Sequence, residues 1–599
     1  MSSADYIVLS CYLVGIFAVS VIVGTRNKSA VEMFAAGGQS PWWTSGLSGF
    51  MTMFSAGTFV VWGGIAYKHG LVAVAINLCY GIAALLVGYF VAGRWKELGV
   101  RTPAEFIEIR FGRAALHFYT WSMLAFRLVS VAVALYSLGV LMVAMMPLSE
   151  GNPLRDPATG NLSVAWAILF FGGMVVIYTM IGGLWGVLLT DVLQFIVLNL
   201  AVLFVVPLAL AQVGGVGQFV EAAPKGFFLP TGGGYTWFFL AAWIAIHYFV
   251  VGAEWAFVQR FICVPTSTDA RKSSYLFGAL YLVSPLLWLL PPMIYRVQNP
   301  IPSGATANQI NDLAEQAYIQ VCHSVLPSGM VGLMTAAMFS ATASMISSQL
   351  NVFAGVLTSD IYRPLAGANE GGRQLVWAGR IFTVLLGAVL ISLAVAIPVL
   401  GGAEKVIVAI TSLMVVPLLA PVLLGLFSRR LGTRTVWMAA GVGAALALPW
   451  LALKLACDEA GWLAESKTWS DQVTWVRGNL LVHARSIELL IGVVVPAVLV
   501  GVLHHTTRAT DAGWTRVSQV AVARAEEPVL QSSRMPALIV GWSLAASGMM
   551  MGILAISDTE NRSILGAFAA VLWVLAAAIL GFSSRLAKLQ ESEKAYADT

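Results

Sequence analysis

Apolar runs of about 20 residues succeed one another along almost the whole chain, and each is long enough to cross roughly 30 Å of hydrocarbon as a helix. They fall near 5–24, 43–66, 71–95, 114–147, 163–181, 187–211, 236–262, 274–298, 327–359, 377–399, 404–427, 433–455, 485–504, 536–556 and 562–582. The pattern predicts an all-α integral membrane protein with about fifteen spanning helices. Two runs carry small and polar residues at mid-depth. The second reads Trp-Trp-Thr-Ser-Gly-Leu-Ser-Gly-Phe-Met-Thr-Met-Phe-Ser-Ala-Gly-Thr-Phe from Trp42 to Phe59, and the seventh holds Val251-Gly252-Ala253 after His247. They lie five spans apart, at matching positions of two successive five-helix blocks, as in inverted-repeat transporters whose site is at the midplane. Unwound backbone at that depth is tolerated only where it lines a cavity, and its freed carbonyls are available to an ion. The expected organisation is residues 1–41 as a first helix and loop, 42–212 and 213–430 as the two repeats, and 431–599 as additional helices with a tail. The polar connection near 505–535 is too short to be a domain.

Composition strengthens this picture. The chain of 599 residues is 59% hydrophobic and 11% charged, whereas about a quarter of residues are charged in soluble domains. Lysine and arginine concentrate in alternate connections: Arg94, Lys96, Arg101, Arg110 and Arg113, then Arg260, Arg271 and Lys272, then Arg429, Arg430 and Arg434, then Arg508, Arg516 and Arg524. The other connections hold isolated cases such as Lys68, Arg155, Lys225 and Lys405. This bias, roughly three to one, places the N-terminus outside and the C-terminus in the cytoplasm. The net charge of +5 thus reports orientation, and no basic stripe for nucleic acid is present. The first run lacks a basic n-region and a small-residue cleavage site, so it reads as a retained span. Among the five cysteines, Cys322 and Cys457 both fall in expected external loops and are either a disulfide or two free thiols.

The chemistry concentrates in a few intramembrane polar residues. Asp191 lies within an apolar helix, where a carboxylate has to pair, bind a cation or face a wet cavity. Ala343 to Ser348 (Ala-Ser-Met-Ile-Ser-Ser) brings three hydroxyls into an equally apolar stretch, with Ser344, Ser347 and Ser348 spaced to share one helix face. A carboxylate with three hydroxyl oxygens suits a small, hard cation. The alternatives are a proton on Asp191 and serines that bond back to carbonyls of their own helix. Ser55, Thr58, Asn77, His247, Tyr281, Thr411 and Ser412 are the polar side chains expected to face a central cavity. His247 either touches the solute or donates to a backbone carbonyl. Arg127, inside the fourth run, needs a partner: a carboxylate on the solute, which its planar fork would hold bidentately, or Glu254 of the seventh run. No catalytic constellation is expected.

Several motifs then carry a family resemblance: Pro41-Trp42-Trp43 before the broken helix, Arg101-Thr-Pro-Ala-Glu-Phe-Ile-Glu-Ile-Arg-Phe-Gly112, Tyr178 to Gln194, Gln259-Arg260, Asp360-Ile-Tyr362 and Gly425-Leu-Phe-Ser-Arg-Arg430. In this order, over roughly residues 5–440, the chain resembles the sodium:solute symporters, which include bacterial sugar, proline, pantothenate and sialic acid carriers. The resemblance implies a leucine-transporter-type core of two inverted five-helix repeats, with sodium as the coupling ion. It places one ion site at the carbonyls of Met51, Phe54 and Ala341 and the hydroxyl of Ser344; Met345 stands where a second hydroxyl is usual, and a thioether is a poor ligand for a hard cation. A second ion site, by likeness to the sialic acid carriers, falls on Asp191, Ser344, Ser347 and Ser348. There, too, an arginine equivalent to Arg127 holds the substrate carboxylate. The side chains at the solute positions differ from those of galactose carriers. The implied function is sodium-coupled symport of a small polar organic solute, an organic anion or sugar acid, by alternating access in the cell (inner) membrane. Sodium ions, the solute and the lipid bilayer are the expected partners, with oligomeric state left open. A sodium-independent or proton-coupled carrier of the same fold, and a transceptor or sensor, are the alternatives.

Overall fold

The structure is a computed structural model that describes residues 2–24, 30–144, 146–157, 160–367, 373–397, 415–457, 469–525, 531–557 and 562–597. The elements that build its core are helices α1 (Ser3–Gly24), α2 (Trp42–Thr52), α3 (Gly63–His69), α4 (Leu71–Val87), α5 (Pro103–Phe111), α6 (Arg113–Ala144), α7 (Val164–Gln212), α8 (Trp237–Ala253), α9 (Trp255–Ile262), α10 (Ser267–Gln298), α11 (Met330–Val356) and α12 (Arg373–Ala396). They are followed by α13 (Thr433–Cys457), α14 (Val495–Thr506), α15 (Ala512–Ala525), α16 (Met535–Ser557) and α17 (Arg562–Ala597).

Among the described residues, eleven helices are long and apolar enough to cross a membrane, or twelve when the bent pair α8–α9 counts as one span. That is fewer than the fifteen apolar runs, and the backbone accounts for the difference. The run near 43–66 is broken: α2 stops at Thr52, and a π-helical turn over Thr58–Trp62 leads into α3. The runs near 163–181 and 187–211 both lie in α7, which is two helices meeting at a kink where Gly183 leaves helical geometry (φ 57°, ψ −157°), so the two runs stay distinct although they count as one in that number. The run near 404–427 is described only from residue 415, as the short apolar helix Val415–Gly425.

The second break forms one position later than Val251-Gly252-Ala253. Glu254 adopts extended angles between α8 and α9, and the two helices bend by 53°. The carbonyl of Gly252, freed near that bend, accepts a hydrogen bond from Trp95 Nε1 at 2.7 Å. At the centre, 94% of the apolar window of α11 is buried, against 33% for α1 and α12, so α11 is the axis on which the other helices pack. Its start is tied to α1 by the buried Asp5, whose Oδ1 accepts from Gly329 N at 2.7 Å and Gly332 N at 2.8 Å. All five cysteines are free thiols, so Cys322 and Cys457 are not a disulfide.

The polar connection near 505–535 contains α15, which lies against α5. Asp511 pairs with Arg110 and Arg524 pairs with Glu105 at 2.8 Å, while Arg524 also reaches the carbonyl of Gly99 at 2.6 Å. Ser533 N donates to Gln39 O at 2.9 Å, closing a strap across the arginine-rich end of the bundle.

The angles at Gly183 lie where only glycine is unstrained. Gly183→Ala should therefore destabilise the protein by about 1–3 kcal/mol, the cost of such a residue in that region. The expected readout is a lower melting temperature of the detergent-purified protein; an unchanged value would mean that α7 tolerates a continuous helix there.

Candidate ion and solute site

Asp191 sits about two turns beyond the Gly183 kink and is fully buried. Ser48 on α2 donates to its Oδ2 at 2.5 Å, and the guanidinium of Arg260 on α9 lies 3.8 Å from the same oxygen. Its other oxygen, Oδ1, has no hydrogen-bond partner, and neither has Ser344 Oγ on α11, although Ser344 is one of the hydroxyls acting on this carboxylate. Ser347 and Ser348 are fully buried on the same helix. Ser347 Oγ bonds back to the Ser344 carbonyl at 3.0 Å, as polar side chains in apolar helices do when nothing else is offered. Ser348 Oγ accepts from Arg260 at 2.6 Å. The fold therefore brings Ser344 beside Asp191 and links Ser348 to it through Arg260, while Ser347 bonds to its own helix; Asp191 Oδ1 and Ser344 Oγ are left without a hydrogen-bond partner. An unpartnered oxygen at that depth is costly, and a bare cation is the natural complement of such a group.

Three neighbours escaped the sequence reading. Gln194 lies one turn from Asp191 on the same face, fully buried, with both amide atoms unpartnered. Arg260 stands inside a motif that marked the family and Ser48 inside the interrupted second run, but neither carried a chemical reading of its own. The signal for Gln194 was in the sequence, a second polar side chain at i+3 from a buried acid. Ser48 and Arg260 required the packing of α2, α9 and α11. Among the described residues, no group of three or more His, Cys, Asp or Glu side chains is placed to hold a metal; what this cluster offers instead is one acid and hydroxyls.

Of the carbonyls matched to the other ion site, those of Met51 and Phe54 lie at the α2 break and that of Ala341 on α11, and all four residues of the site are buried. Met51 O accepts from Phe54 N at 3.0 Å, and the chain resumes with Ala56 N donating to Thr342 Oγ1 of α11 at 2.7 Å. This bond pins the broken helix beside Ala341. Met345 is partly buried and packs against the apolar core.

The solute candidates divide. Tyr80 links two of them, with ring centroids 4.1 Å from His247 and 5.4 Å from Tyr281. Tyr281 also packs 4.7 Å from Phe50 and 5.9 Å from Trp288. Asn77 donates to the Ala73 carbonyl at 2.9 Å, and His247 Nδ1 lies 2.8 Å from Trp243 O, the backbone partner that the sequence left as one of its two readings. Ser55 and Thr58 cap the resumed helix, accepting from Gly57 N at 3.2 Å and Ser55 N at 3.3 Å. Thr411 and Ser412 lie outside the described residues. Arg127 is paired: its Nε is 3.3 Å from Glu254 Oε1, the side chains being 12% and 2% exposed. Gln349 of α11 donates to the same Glu254 oxygen at 3.2 Å. The cavity beside Arg127, Ile346, Gln349 and Phe353 measures about 10 Å³, room for about one water.

A bundle with two broken helices around a buried acid and a cluster of hydroxyls is the architecture of an ion-coupled membrane transporter. The chain belongs to the sodium:solute symporter family, whose model matches residues 33–443. It is 28% identical over 403 residues to a sodium/sialic acid symporter of Aliivibrio fischeri, covering 64% of this chain and 74% of that one. It is also 28% identical over 467 residues to a sodium/glucose cotransporter of Vibrio parahaemolyticus, covering 72% and 82%. The solved structure of a Na+-coupled sialic acid symporter in a substrate-bound outward-open state aligns with a TM-score of 0.60 at 23% identity, over 83% of this chain and 98% of that one, a likeness of fold.

The buried pair makes its own prediction. Removing one partner of a buried ion pair leaves an uncompensated charge and costs about 3–5 kcal/mol. Arg127→Ala should lower the melting temperature and the yield, and adding Glu254→Gln should restore both. Failure of the second change to rescue the first would mean that Arg127 serves something other than Glu254.

Proposed function

We propose that the protein is a sodium-coupled symporter that takes up a small polar organic solute by alternating access. Its core is read as two inverted five-helix repeats, residues 42–212 and 213–430, in the cell (inner) membrane with the N-terminus outside. The observation that carries the reading is the pair of unpartnered, fully buried oxygens, Asp191 Oδ1 and Ser344 Oγ, on two helices that pack against each other. Family membership supports sodium as the ion. Sodium binding at Asp191, Ser344, Ser347 and Ser348, together with the broken α2, would favour the outward-open state, which the solute then occludes. Each 100 mV of membrane potential contributes about 2.3 kcal/mol per charge, enough for roughly fiftyfold accumulation with one net positive charge.

The solute class follows Arg127. A sugar acid or organic anion requires its guanidinium to leave Glu254, since the pair as it stands offers a carboxylate no net charge. With the pair intact, the rings of Tyr80, His247 and Tyr281 and the caps at Ser55 and Thr58 favour a neutral polar solute. A panel of sugar acids, monocarboxylates, amino acids and sugars, read as thermal stabilisation in sodium, separates the two.

Sodium itself tests the coupling. Asp191→Asn should weaken sodium-dependent thermal stabilisation or lower its Hill coefficient while the protein still folds, and Ser347→Ala with Ser348→Ala should act in the same direction. Sodium activation untouched by all of these would refute the site. At the other site, Met345→Ser or Met345→Thr returns an oxygen ligand and should tighten sodium binding severalfold; an unaltered affinity would leave coupling to the Asp191 cluster alone.

A further inference from the structure

Arg260 is fully buried and spends its donors on the oxygens that the ion needs. Its Nη2 donates to Ser348 Oγ at 2.6 Å, Nε and Nη2 both reach Ser48 Oγ at 3.1 Å, and Nη2 lies 3.8 Å from Asp191 Oδ2. Nη1 is anchored on its own helix, to the Ala256 carbonyl at 2.9 Å and Gln259 Oε1 at 3.2 Å. The ligand set is thus divided. Asp191 Oδ2 and Ser348 Oγ face a tethered cation, while Asp191 Oδ1 and Ser344 Oγ, side by side, have no hydrogen-bond partner.

We propose that Arg260 is the built-in competitor of the coupling ion, seated on Ser348 and Asp191 when sodium is absent and displaced from Ser348 when sodium binds. The inference rests on the ion site proposed above. Two unit positive charges cannot share one buried carboxylate without leaving a net charge in apolar surroundings, where charge repulsion is weakly screened. Ser348 Oγ has two lone pairs; it accepts from Arg260 and lies 3.4 Å from Thr52 Oγ1, which leaves it poorly disposed toward an ion until Arg260 moves. Arg260 stands on α9, the half-helix beyond the Glu254 bend. Displacing its side chain therefore removes at once the bonds that Arg260 makes from that half-helix to α2, α7 and α11, leaving Gln259 bonded to Asn351 of α11 at 3.2 Å, and so couples ion binding to a broken helix. Arg260 acts on the ion through the ligands and is a positioning residue of the cycle.

The experiment is a sodium titration of purified protein at constant ionic strength, choline replacing sodium, read as thermal stabilisation. Arg260→Gln removes the competing charge and should lower the sodium concentration for half-effect by about tenfold or more. Arg260→Lys keeps the charge but cannot span Ser48 and Ser348 with a fork, so it should fall between wild type and Arg260→Gln. In Arg260→Ala, millimolar guanidinium should raise the sodium requirement again while leaving wild type unmoved, a response that a merely structural arginine would not produce. Should Arg260→Gln fail to accumulate, Arg260→Lys carries the test and has to bind sodium more tightly than wild type. Unchanged or weaker sodium binding in the Arg260 variants, with Asp191→Asn still impaired, overturns the competition and leaves the ion site standing. A sodium response unaffected by Asp191→Asn overturns the ion site itself.

Discussion

A carboxylate without water at membrane depth has to be compensated, and the arrangement of this protein depends on how Asp191 is. Burial strips the hydration that would hold the charge, so positive charge and hydrogen-bond donors have to come from the protein or from an ion. Half of the compensation is present: Ser48 and Arg260 converge on Oδ2. The other half is not, since Oδ1 and Ser344 Oγ have no partner. An acid satisfied on one side only still offers an oxygen to a further donor or cation, whereas a fully satisfied one would be a structural ion pair.

The elements that meet at this carboxylate are those whose helical geometry is interrupted. Ser48 is on α2, one turn before its break; Asp191 follows the Gly183 kink; Arg260 lies beyond the bend at Glu254. Only α11 runs straight through the cluster, and it is the most enclosed of the spans. A central helix carrying the serines is thus faced by three interrupted helices, two carrying the charges Asp191 and Arg260 and one carrying the hydroxyl of Ser48. A second buried pair, Arg127 with Glu254, uses the same bend from its other side. Thus the helix break that frees backbone groups also fixes an acid that holds α6 to α8 and, through Gln349, to α11.

The region past the family match has a different character. Helices α16 and α17 pack mainly on each other, but the strap before them is tied to the core by ions and backbone. Asp511 with Arg110, Arg524 with Glu105, and Ser533 with Gln39 bring α5 and the entry to α2 under one restraint. These bonds tie the added segment to α5 and, at Gln39, to the entry of the broken α2.

The succession of apolar runs, the two breaks and the intramembrane acid were legible from sequence, because hydrophobicity and helix-breaking residues act locally and leave a periodic trace. Family membership was legible too, through motifs spread over residues that fall within 33–443. Asp191 and the serine triplet could be named because a carboxylate or a hydroxyl stands out against apolar neighbours. What partners them could not be read. Arg260 and Ser48 are 212 residues apart and meet at 3.1 Å only because α9 folds back on α2. Arg127 had two candidate partners of equal chemical merit, and the bend at Glu254 brings one of them to 3.3 Å. The interruption between the two runs of α7 was legible as a glycine pair, whereas the angles of the kink at Gly183 came only from the folded backbone. Sequence determined which groups need compensation, because burial and charge belong to each residue; tertiary structure decided who supplies it, because that depends on distances between helices far apart in the chain.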